Sequence, residues 1–295
     1  MRTVFTLVAL DFDQLQDALG PTLDAVVASG KPIRDTAHLS DVAMDIFIDD
    51  IDPVALKVNA ARSLERKAVD FCVQAAEGRR KRLLIADMDS TIISCECLDE
   101  LADFAGVKAQ IAASTERAMA GEIPFEAALR ERVAMLKGLS LSALQETYDQ
   151  RVRLNPGAAT LVRTMAAHGA SCQLVSGGFE FFTGRVAEAA GFAGHRANRL
   201  LDDGAVLLGQ VADPILGREA KLRALEQEAE RLGIELGATL AVGDGANDLA
   251  MIEAAGLGVA YRAKPIVAAR ADAQVNHTDL TSLLYFQGYG ADQFA

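Results

Sequence analysis

The chain lacks the apolar segments that membrane insertion or secretion would require. No stretch reaches the roughly 18 uninterrupted apolar residues of a membrane helix. The N-terminal run in MRTVFTLVALDFDQ has about eight apolar residues and closes with acids, so it is shorter than a secretory signal. It also lacks the small-residue cleavage site of such a signal. We therefore predict a cytoplasmic protein without membrane contacts, in which this run forms a strand.

Net positive charge is also lacking, because 41 acidic residues face 29 lysines and arginines and give a formal net charge of -12. Nucleic acids and anionic membrane surfaces attract cations, so neither is expected as a partner. An acidic protein that binds an anionic ligand needs positive charge placed locally. A metal ion and one or two basic side chains would supply it.

Cysteine is scarce, and the chain has four cysteines: Cys72, Cys95, Cys97 and Cys172. Cys95 and Cys97 are too close in sequence for an ordinary disulfide or for a CxxC zinc site, and no histidine lies nearby to complete a metal set. Structural thiols are therefore favoured over a metal or redox role, and the pattern fits a reducing compartment.

Residues 1–78 predict a small α+β domain. Residues 1–50 have the pattern strand, helix, strand, strand, and a helix is predicted from about Pro53 to Ala76, with no clear fourth strand. The basic run at 78–82 is the best candidate boundary, with residues 79–295 as the second domain. We interpret this run as a solvated linker rather than as a phosphate or partner patch.

From residue 82 onward, apolar runs alternate with helical patterns. The runs are LLIAD, QLVSG, TLAVGD and LGVAY, and the helical patterns cover 158–168, 179–190, 218–232 and 249–255. This alternation predicts an α/β protein with a doubly wound parallel sheet, which binds ligands at the carboxyl ends of its strands. About 80 helix-patterned residues separate the first two strands, far more than a crossover needs, so we predict a helical cap inserted at about 95–155.

Two carboxylates, Asp87 and Asp89, directly follow the first core strand. Acids this close beside an apolar strand repel each other and lose solvation, and a hard cation such as magnesium would resolve that conflict. A plain turn capped by an aspartate is the alternative, and it would win if the pair stood alone.

Further polar groups follow the other core strands. Asp244 and Asp248 lie in Gly243-Asp244-Gly245-Ala246-Asn247-Asp248, where the acid at the third glycine position argues against a dinucleotide fingerprint. Ser176 and Gly177 end a strand before a helix, where a hydroxyl and free N–H groups can bind an anion. Lys221 begins a helical segment and offers a compact charge for phosphate.

These motifs, in this order over about residues 82–260, resemble the haloacid dehalogenase-like hydrolases. The continuation DMDSTIISCECLDELA is similar to the phosphoserine phosphatases of that superfamily, and four cap positions match their substrate-reading residues: Glu96, Met119, Phe125 and Arg132. The resemblance implies a Rossmann-like core, magnesium, and hydrolysis of phosphoserine as the last step of serine biosynthesis. The N-terminal region weakly resembles a regulatory ACT-type module, and a structural or dimerising domain is an equal alternative.

The resemblance also implies a role for each residue. Asp87 would be the nucleophile and a metal ligand with Asp244, and Asp89 would be the acid and base while its carbonyl binds the metal. Lys221, Ser176 and the Gly177 N–H would neutralise the transferring phosphoryl group. Asn247 would hold phosphate or substrate, and Asp248 would orient Lys221 or metal-bound water.

Two other functions remain open at this point. A phosphatase of the same class could act on another small metabolite, such as phosphothreonine. A non-catalytic sensor could bind phosphoserine or serine, although the intact Asp87 and Asp89 pair argues against a pure binder. A kinase is disfavoured, because neither a Walker A motif nor a kinase glycine loop is present. The expected partner is a small molecule, with a possible homodimer.

Overall fold

The computed structural model describes residues 2–119 and 122–295, without the side chains of residues 118, 119 and 218. The N-terminal part is a βαββαβ unit. Its elements are β1 Arg2–Ala9, α1 Phe12–Val27, β2 Ile33–Ser40, β3 Ala43–Asp49, α2 Pro53–Ser63 and β4 Val69–Ala75. Local signals set the helix starts: Asp11 accepts a hydrogen bond from the Gln14 N–H, and Asp52 accepts one from Val54.

The fourth strand of this unit corrects the sequence-based prediction. A single helix over 53–76 is wrong, because the helix stops near Leu64 and residues 69–75 pair antiparallel with β1. The apolar spacing of a helix does not extend past Leu64, whereas residues 69–75 are rich in β-branched and aromatic side chains. Phe71 in this strand stacks on Phe5 of β1, with ring centroids 5.4 Å apart.

The rest of the chain alternates strands and helices as predicted. Up to β7 its elements are β5 Leu83–Ala86, α3 Cys97–Phe104, α4 Lys108–Met119, α5 Phe125–Ala134, α6 Leu141–Arg151, α7 Ala158–Ala167, β6 Ser171–Phe179, α8 Glu180–Ala190 and β7 Gly194–Asn198. They continue with β8 Leu200–Asp202, β9 Leu207–Val211, α9 Arg218–Leu232, β10 Thr239–Gly243, α10 Leu249–Ala254, β11 Leu257–Tyr261, α11 Pro265–Ala268, β12 Ala273–Val275 and α12 Ser282–Phe286. Within the described ranges, none of these helices has the length and apolarity needed to cross a membrane.

One large sheet runs through the molecule, in the order β2-β3-β1-β4-β12-β11-β10-β5-β6-β7. The six strands from β12 to β7 are parallel, which confirms the doubly wound α/β fold. The chain moves outward in one direction from β5 to β6 and in the other from β10 to β11. The β5–β10 pair is therefore the topological switch point, where such sheets bind ligands.

Helices α3 to α6, which we call the cap, lie between β5 and β6 within the insertion predicted from sequence. The β8–β9 hairpin, which the sequence pattern did not predict, adds to the cap. The Gly138 N–H donates to the Leu207 carbonyl at 2.9 Å, and the Leu207 N–H donates to the Leu139 carbonyl at 2.8 Å. Residues outside the insertion thus brace the loop between α5 and α6.

The basic run at 78–82 is not a solvated linker, so that prediction is wrong. Arg79 forms an ion pair with the buried Asp45 at 2.7 Å, and the Arg80 guanidinium lies 4.2 Å from the Tyr289 ring centroid. The Lys81 ammonium donates to the Gly237 carbonyl at 2.8 Å, and this lysine is only 7% exposed. Three of the basic side chains therefore fasten the N-terminal unit and the C-terminal segment to the core.

Candidate active site

The two central acids stand at the ends of neighbouring parallel strands. Asp87 directly follows β5 and Asp244 directly follows β10, so both lie at the switch point of the sheet. The Asp87 N–H donates to the Val242 carbonyl at 3.0 Å, which continues the strand pairing by one residue. Asp87 is 5% exposed and its carboxylate accepts a hydrogen bond from the Met88 N–H at 2.8 Å.

Lys221 connects Asp87 with a further carboxylate, that of Asp248. Its ammonium lies 2.7 Å from Oδ1 of Asp87 and also donates to Asp248, which is fully buried. The second oxygen of Asp248 accepts from the Gly245 N–H at 3.0 Å. Residue 243 must be glycine, because a Cβ there would lie 2.3 Å from the Asp248 carboxyl carbon.

Asp89 lies two residues beyond Asp87 and has a different environment. Its Oδ1 accepts a hydrogen bond from the Cys97 N–H at the start of α3, at 3.0 Å. Burial and the nearby Glu96 carboxylate raise the pKa of Asp89 to about 7, although the Cys97 amide acts in the opposite direction. A carboxyl group with this pKa can exist in both protonation states near neutral pH.

Burial also shapes the charges of the other groups. Burial, Asp248 and Asp89 raise the pKa of Asp87 well above its usual value, against the opposing effect of Lys221. Burial, Asp248 and Glu96 raise the pKa of Asp244 to about 6. Burial alone would lower the pKa of Lys221, but Asp248 and Asp87 outweigh it and raise that pKa, so the ammonium stays charged.

Three of the carboxylates form a cluster that fits a metal ion. Asp87, Asp244 and Asp248 each offer an oxygen, and these oxygens lie within 4.8 Å of one another. Hard divalent cations prefer such oxygen ligands. A cation here would offset both burial and repulsion, which together raise the pKa values of Asp87 and Asp244. The side chain of Asp89 is not a member of this cluster among the described residues.

A cleft of about 340 Å³ lies over these strand ends and extends up to the cap. It brings together nine of the residues predicted from sequence: Asp87, Asp89, Glu96, Phe125, Arg132, Ser176, Gly177, Asp244 and Asn247. Lys221 and Asp248 lie beneath its floor. The Met119 side chain falls outside the described residues.

Two side chains of opposite charge, Glu96 and Arg132, line the roof of this cleft, on the side of the cap. Glu96 is exposed, and its Oε1 accepts a hydrogen bond from the Ser90 hydroxyl at 2.7 Å. Arg132 is half-buried, and its guanidinium donates to the Ala128 carbonyl at 3.2 Å and to the Thr115 hydroxyl at 3.4 Å. Burial lowers the pKa of Arg132, but a guanidinium remains charged at any physiological pH.

Several residues of the site were missed by sequence reasoning. Thr115 and Lys264 line the cleft, and the buried Asn155 donates to the Thr91 and Ile93 carbonyls just after the Asp87 turn. A signal existed for Lys264, since it follows the core strand LGVAY and so falls at the same sheet edge. A lone threonine or asparagine has no spacing that separates it from an ordinary loop residue.

Residues 84–253 match the family of haloacid dehalogenase-like hydrolases. This match covers more than half of the chain, and the fold and the order of the acidic motifs agree with it. The chain belongs to the haloacid dehalogenase-like hydrolase family.

Within this family the chain is similar to phosphoserine phosphatases. The phosphoserine phosphatase of Polaromonas sp. is 46% identical over 208 residues, which cover 69% of this chain and 88% of that protein. A HAD family hydrolase from Salmonella enterica subsp. enterica serovar Typhi has a similar structure, with a TM-score of 0.85, 30% identity, and coverage of 97% of this chain and 98% of the other. A phospho-aspartyl intermediate analogue of phosphoserine phosphatase aligns with a TM-score of 0.64 and 38% identity, over 70% of this chain and 99% of the other.

Proposed function

We propose that this protein hydrolyses phosphoserine to serine and inorganic phosphate, with Asp87 as the nucleophile and with a bound magnesium ion. The observation that carries the proposal is that one cleft is lined by two kinds of groups, acids at the strand ends and a pair of opposite charges on the cap. Its floor holds the Asp87 and Asp89 pair, and its roof holds the opposite charges of Glu96 and Arg132. The acids of the floor can transfer a phosphoryl group, and the two charges of the roof can bind the carboxylate and the ammonium of an amino acid.

The reaction follows in two displacements. An Asp87 oxygen attacks phosphorus, and the bond to the serine oxygen breaks while Asp89 donates a proton to that oxygen. Asp89 then takes a proton from water, the water oxygen attacks phosphorus, and the Asp87 carboxylate is released with inorganic phosphate. Asp89 suits both tasks because its pKa, raised to about 7, lets it hold and release a proton near neutral pH.

The charged groups under the cleft support the transferred group. Lys221 lies 2.7 Å from Asp87 and stays protonated. Its positive charge would therefore stabilise the oxygens of the phosphoryl group that Asp87 attacks. The Ser176 hydroxyl and the Gly177 N–H would donate to the same oxygens. Asp87, Asp244 and the Asp89 carbonyl would hold magnesium, with Asp248 anchoring Lys221 beside them. Bound magnesium would supply positive charge that neutralises the phosphoryl oxygens.

The cap selects the substrate in this proposal. Arg132 can bind an α-carboxylate through two parallel hydrogen bonds, and Glu96 can pair with an α-ammonium. Phe125, at the start of α5, adds an apolar surface that keeps water from the phosphorus when substrate is bound. Phosphoserine carries a phosphate, an α-carboxylate and an α-ammonium. A phosphoalcohol lacks the carboxylate and the ammonium, which are the two groups that the cap would bind.

A panel of phosphate-release assays tests the proposal. Phosphoserine, phosphothreonine, a phosphoalcohol and p-nitrophenyl phosphate are compared as substrates, each with magnesium and with excess chelator. We expect the highest kcat/KM for phosphoserine, and only with magnesium. A preference for the phosphoalcohol would contradict the reading of the cap, and binding of phosphoserine without any turnover would favour a sensor.

A further inference from the structure

A buried asparagine outside the cleft joins two segments of the site. Asn198 is the last residue of β7 and is 2% exposed. Its amide nitrogen donates to the Gly177 carbonyl at 2.8 Å and to the Leu216 carbonyl at 3.5 Å. Its amide oxygen accepts from the Leu216 N–H at 2.8 Å. Both ends of the amide are thus used between two backbone segments that lie far apart in sequence.

The first of these segments needs such a partner. Strand β6 pairs with β7 at Val175 and again at Phe179, and a register shift separates the two positions. Its pairing with β5 ends earlier, at Leu174. Gly177 lies in this interruption, and the side chain of Asn198 supplies the hydrogen bond that its carbonyl would otherwise find in the sheet.

The second segment leads into helix α9, which delivers Lys221. Leu216 and Gly217 directly precede this helix, and the Gly217 carbonyl accepts from the Ala220 N–H at 3.0 Å in its first turn. Fixing Leu216 therefore fixes the start of the helix that carries the ammonium. The Asn198 amide holds this start in register with the Gly177 segment.

The cap touches both joined segments through one ring. A Cβ on Gly177 would lie 3.8 Å from Cζ of Phe125, and a Cβ on Gly217 would lie 3.8 Å from Cδ1 of the same ring. The Phe125 ring thus lies over two glycines, one from each segment. Phe125 also begins α5, the helix that carries Arg132.

We propose that Asn198 is a positioning residue that holds the Gly177 and Leu216–Gly217 segments together as one seat for Phe125. This inference deepens the proposed function and rests on it for the substrate. It assigns Asn198 no contact with the substrate. Its effect on the reaction comes through the phosphate-binding segment and through the position of the cap.

The first test is a double-mutant cycle of Asn198→Ala and Phe125→Ala, read as kcat/KM on phosphoserine and on p-nitrophenyl phosphate. We expect Asn198→Ala to lower kcat/KM roughly 10- to 100-fold on both substrates, because both place a phosphate beside Gly177. In the Phe125→Ala background the same change should cost several-fold less, because the seat then has no occupant. Equal losses in the two backgrounds would overturn the proposal.

Gln287→Ala is the matched control for lost stability. Gln287 also has a fully buried amide side chain. It accepts from the Lys81 N–H at 3.0 Å and donates to the Leu283 carbonyl at 2.9 Å. Lys81 precedes β5, so this amide lies at the end of the strand opposite to Asp87. Both variants should melt at a lower temperature, and only Asn198→Ala should lose activity. A similar activity loss in Gln287→Ala would reduce the effect of Asn198 to general destabilisation.

A second variant separates the two halves of the amide. Asn198→Asp keeps an acceptor for the Leu216 N–H and loses the donor to the Gly177 and Leu216 carbonyls. Hydrogen exchange at Leu216 should stay slow in wild type and in Asn198→Asp and become fast in Asn198→Ala. Fast exchange at Leu216 in the wild type would refute the seat whatever the substrate is, whereas failure to hydrolyse phosphoserine alone would refute only the proposed function and leave the cycle readable on p-nitrophenyl phosphate.

Discussion

The Lys221 ammonium lies 2.7 Å from Oδ1 of Asp87, and both side chains are buried. One lysine charge faces three carboxylates, because Asp244 and Asp248 complete the cluster. Buried like charges cost free energy unless a cation or protons neutralise them. Asp87 and Asp248 share the Lys221 ammonium, and the three carboxylates together could bind a divalent cation.

The first prediction concerns this cation. Excess chelator should abolish phosphate release, magnesium should restore it, and calcium should inhibit, because calcium adopts looser and higher coordination. Magnesium should also raise the melting temperature of the wild type, as any ligand of the folded state does. Asp244→Asn should lose that shift, and Asp41→Asn, an exposed acid in the turn between β2 and β3, should keep it. Full activity in excess chelator would show that phosphate release does not depend on a metal ion.

The second prediction separates the two acids after β5. Asp87→Asn should remove turnover almost completely, because an amide is not a nucleophile. Asp89→Asn keeps an acceptor for the Cys97 N–H and loses only proton transfer, so kcat should fall roughly 10²- to 10⁴-fold. Rapid-quench labelling should find hydroxylamine-sensitive phosphate on the wild type and none on Asp87→Asn. Label on a serine instead would assign the nucleophile to Ser90 or Ser176.

The third prediction concerns the close approach of Gly178 to Asp89. A Cβ on Gly178 would lie 2.9 Å from Oδ2 of Asp89 and 3.1 Å from the Ser176 hydroxyl, so Gly178→Ala must displace the Asp89 carboxylate. Misplacement by about 1 Å costs on the order of 100-fold in rate, and kcat should fall by that order. Gly20→Ala is the control, since this exposed glycine lies on α1 and its Cβ would meet no atom within 4 Å. Similar losses in both variants would contradict this geometry.

The fourth prediction concerns substrate choice. Arg132→Ala should lower kcat/KM for phosphoserine about 30- to 1000-fold, mostly through KM, because a desolvated bidentate contact contributes roughly 2–4 kcal/mol. Activity on p-nitrophenyl phosphate, which has no carboxylate, should fall far less. Arg130→Ala is the matched control, because Arg130 lies on the same helix, is exposed, and pairs with Asp213. Equal losses of Arg132→Ala on the two substrates would assign this arginine to the fold or to phosphate.

The sequence predicted the catalytic floor well for a physical reason. Strands covered on both faces are continuous apolar runs, and polar residues at their carboxyl ends meet at one edge of the sheet. Asp87, Ser176 and Asp244 could therefore be placed together before any coordinates. The four cap positions depended on the family resemblance, since charges on a cap helix have no pattern that separates binding from solvation.

The sequence predicted long-range supports poorly. Asn198 and Asn155 act through backbone atoms of segments distant in sequence, and no local spacing encodes such a contact. Strand β4 was missed because a segment of seven residues after a helix can continue the helix or form a strand. Its pairing with β1, which the local sequence does not show, decides for the strand. The prediction for the basic run was wrong for a similar reason, since Asp45, the partner of Arg79, lies 34 positions away in sequence.

The missed strand changes what is expected of the N-terminal unit. All catalytic motifs follow residue 78, so the sequence alone suggests that a chain beginning there keeps the chemical step. In the structure, β4 lies beside β12 in the same sheet, and Val8, Ala43 and Cys72 belong to the apolar cluster of the catalytic core. Removing residues 1–77 would expose that cluster and a strand edge, so we expect an aggregation-prone protein.

The last prediction tests this joint with one side chain. Asp70 of β4 is 3% exposed, and its carboxylate accepts from the N–H groups of Asn276 at 2.9 Å and Thr278 at 2.8 Å and from the Thr278 hydroxyl at 2.6 Å. Asp70→Ala would leave these donors unpaired, so unfolding should cost about 2–4 kcal/mol less, a fall of roughly 5–10 °C in melting temperature. Asp24→Ala, an exposed acid on α1, should melt with the wild type. Because Asp70 lies away from the cleft, kcat/KM at 20 °C should stay near the wild-type value. A variant that melts normally would mean that the N-terminal unit contributes little to the stability of the core, and the chain beginning at residue 78 would then be expected to fold.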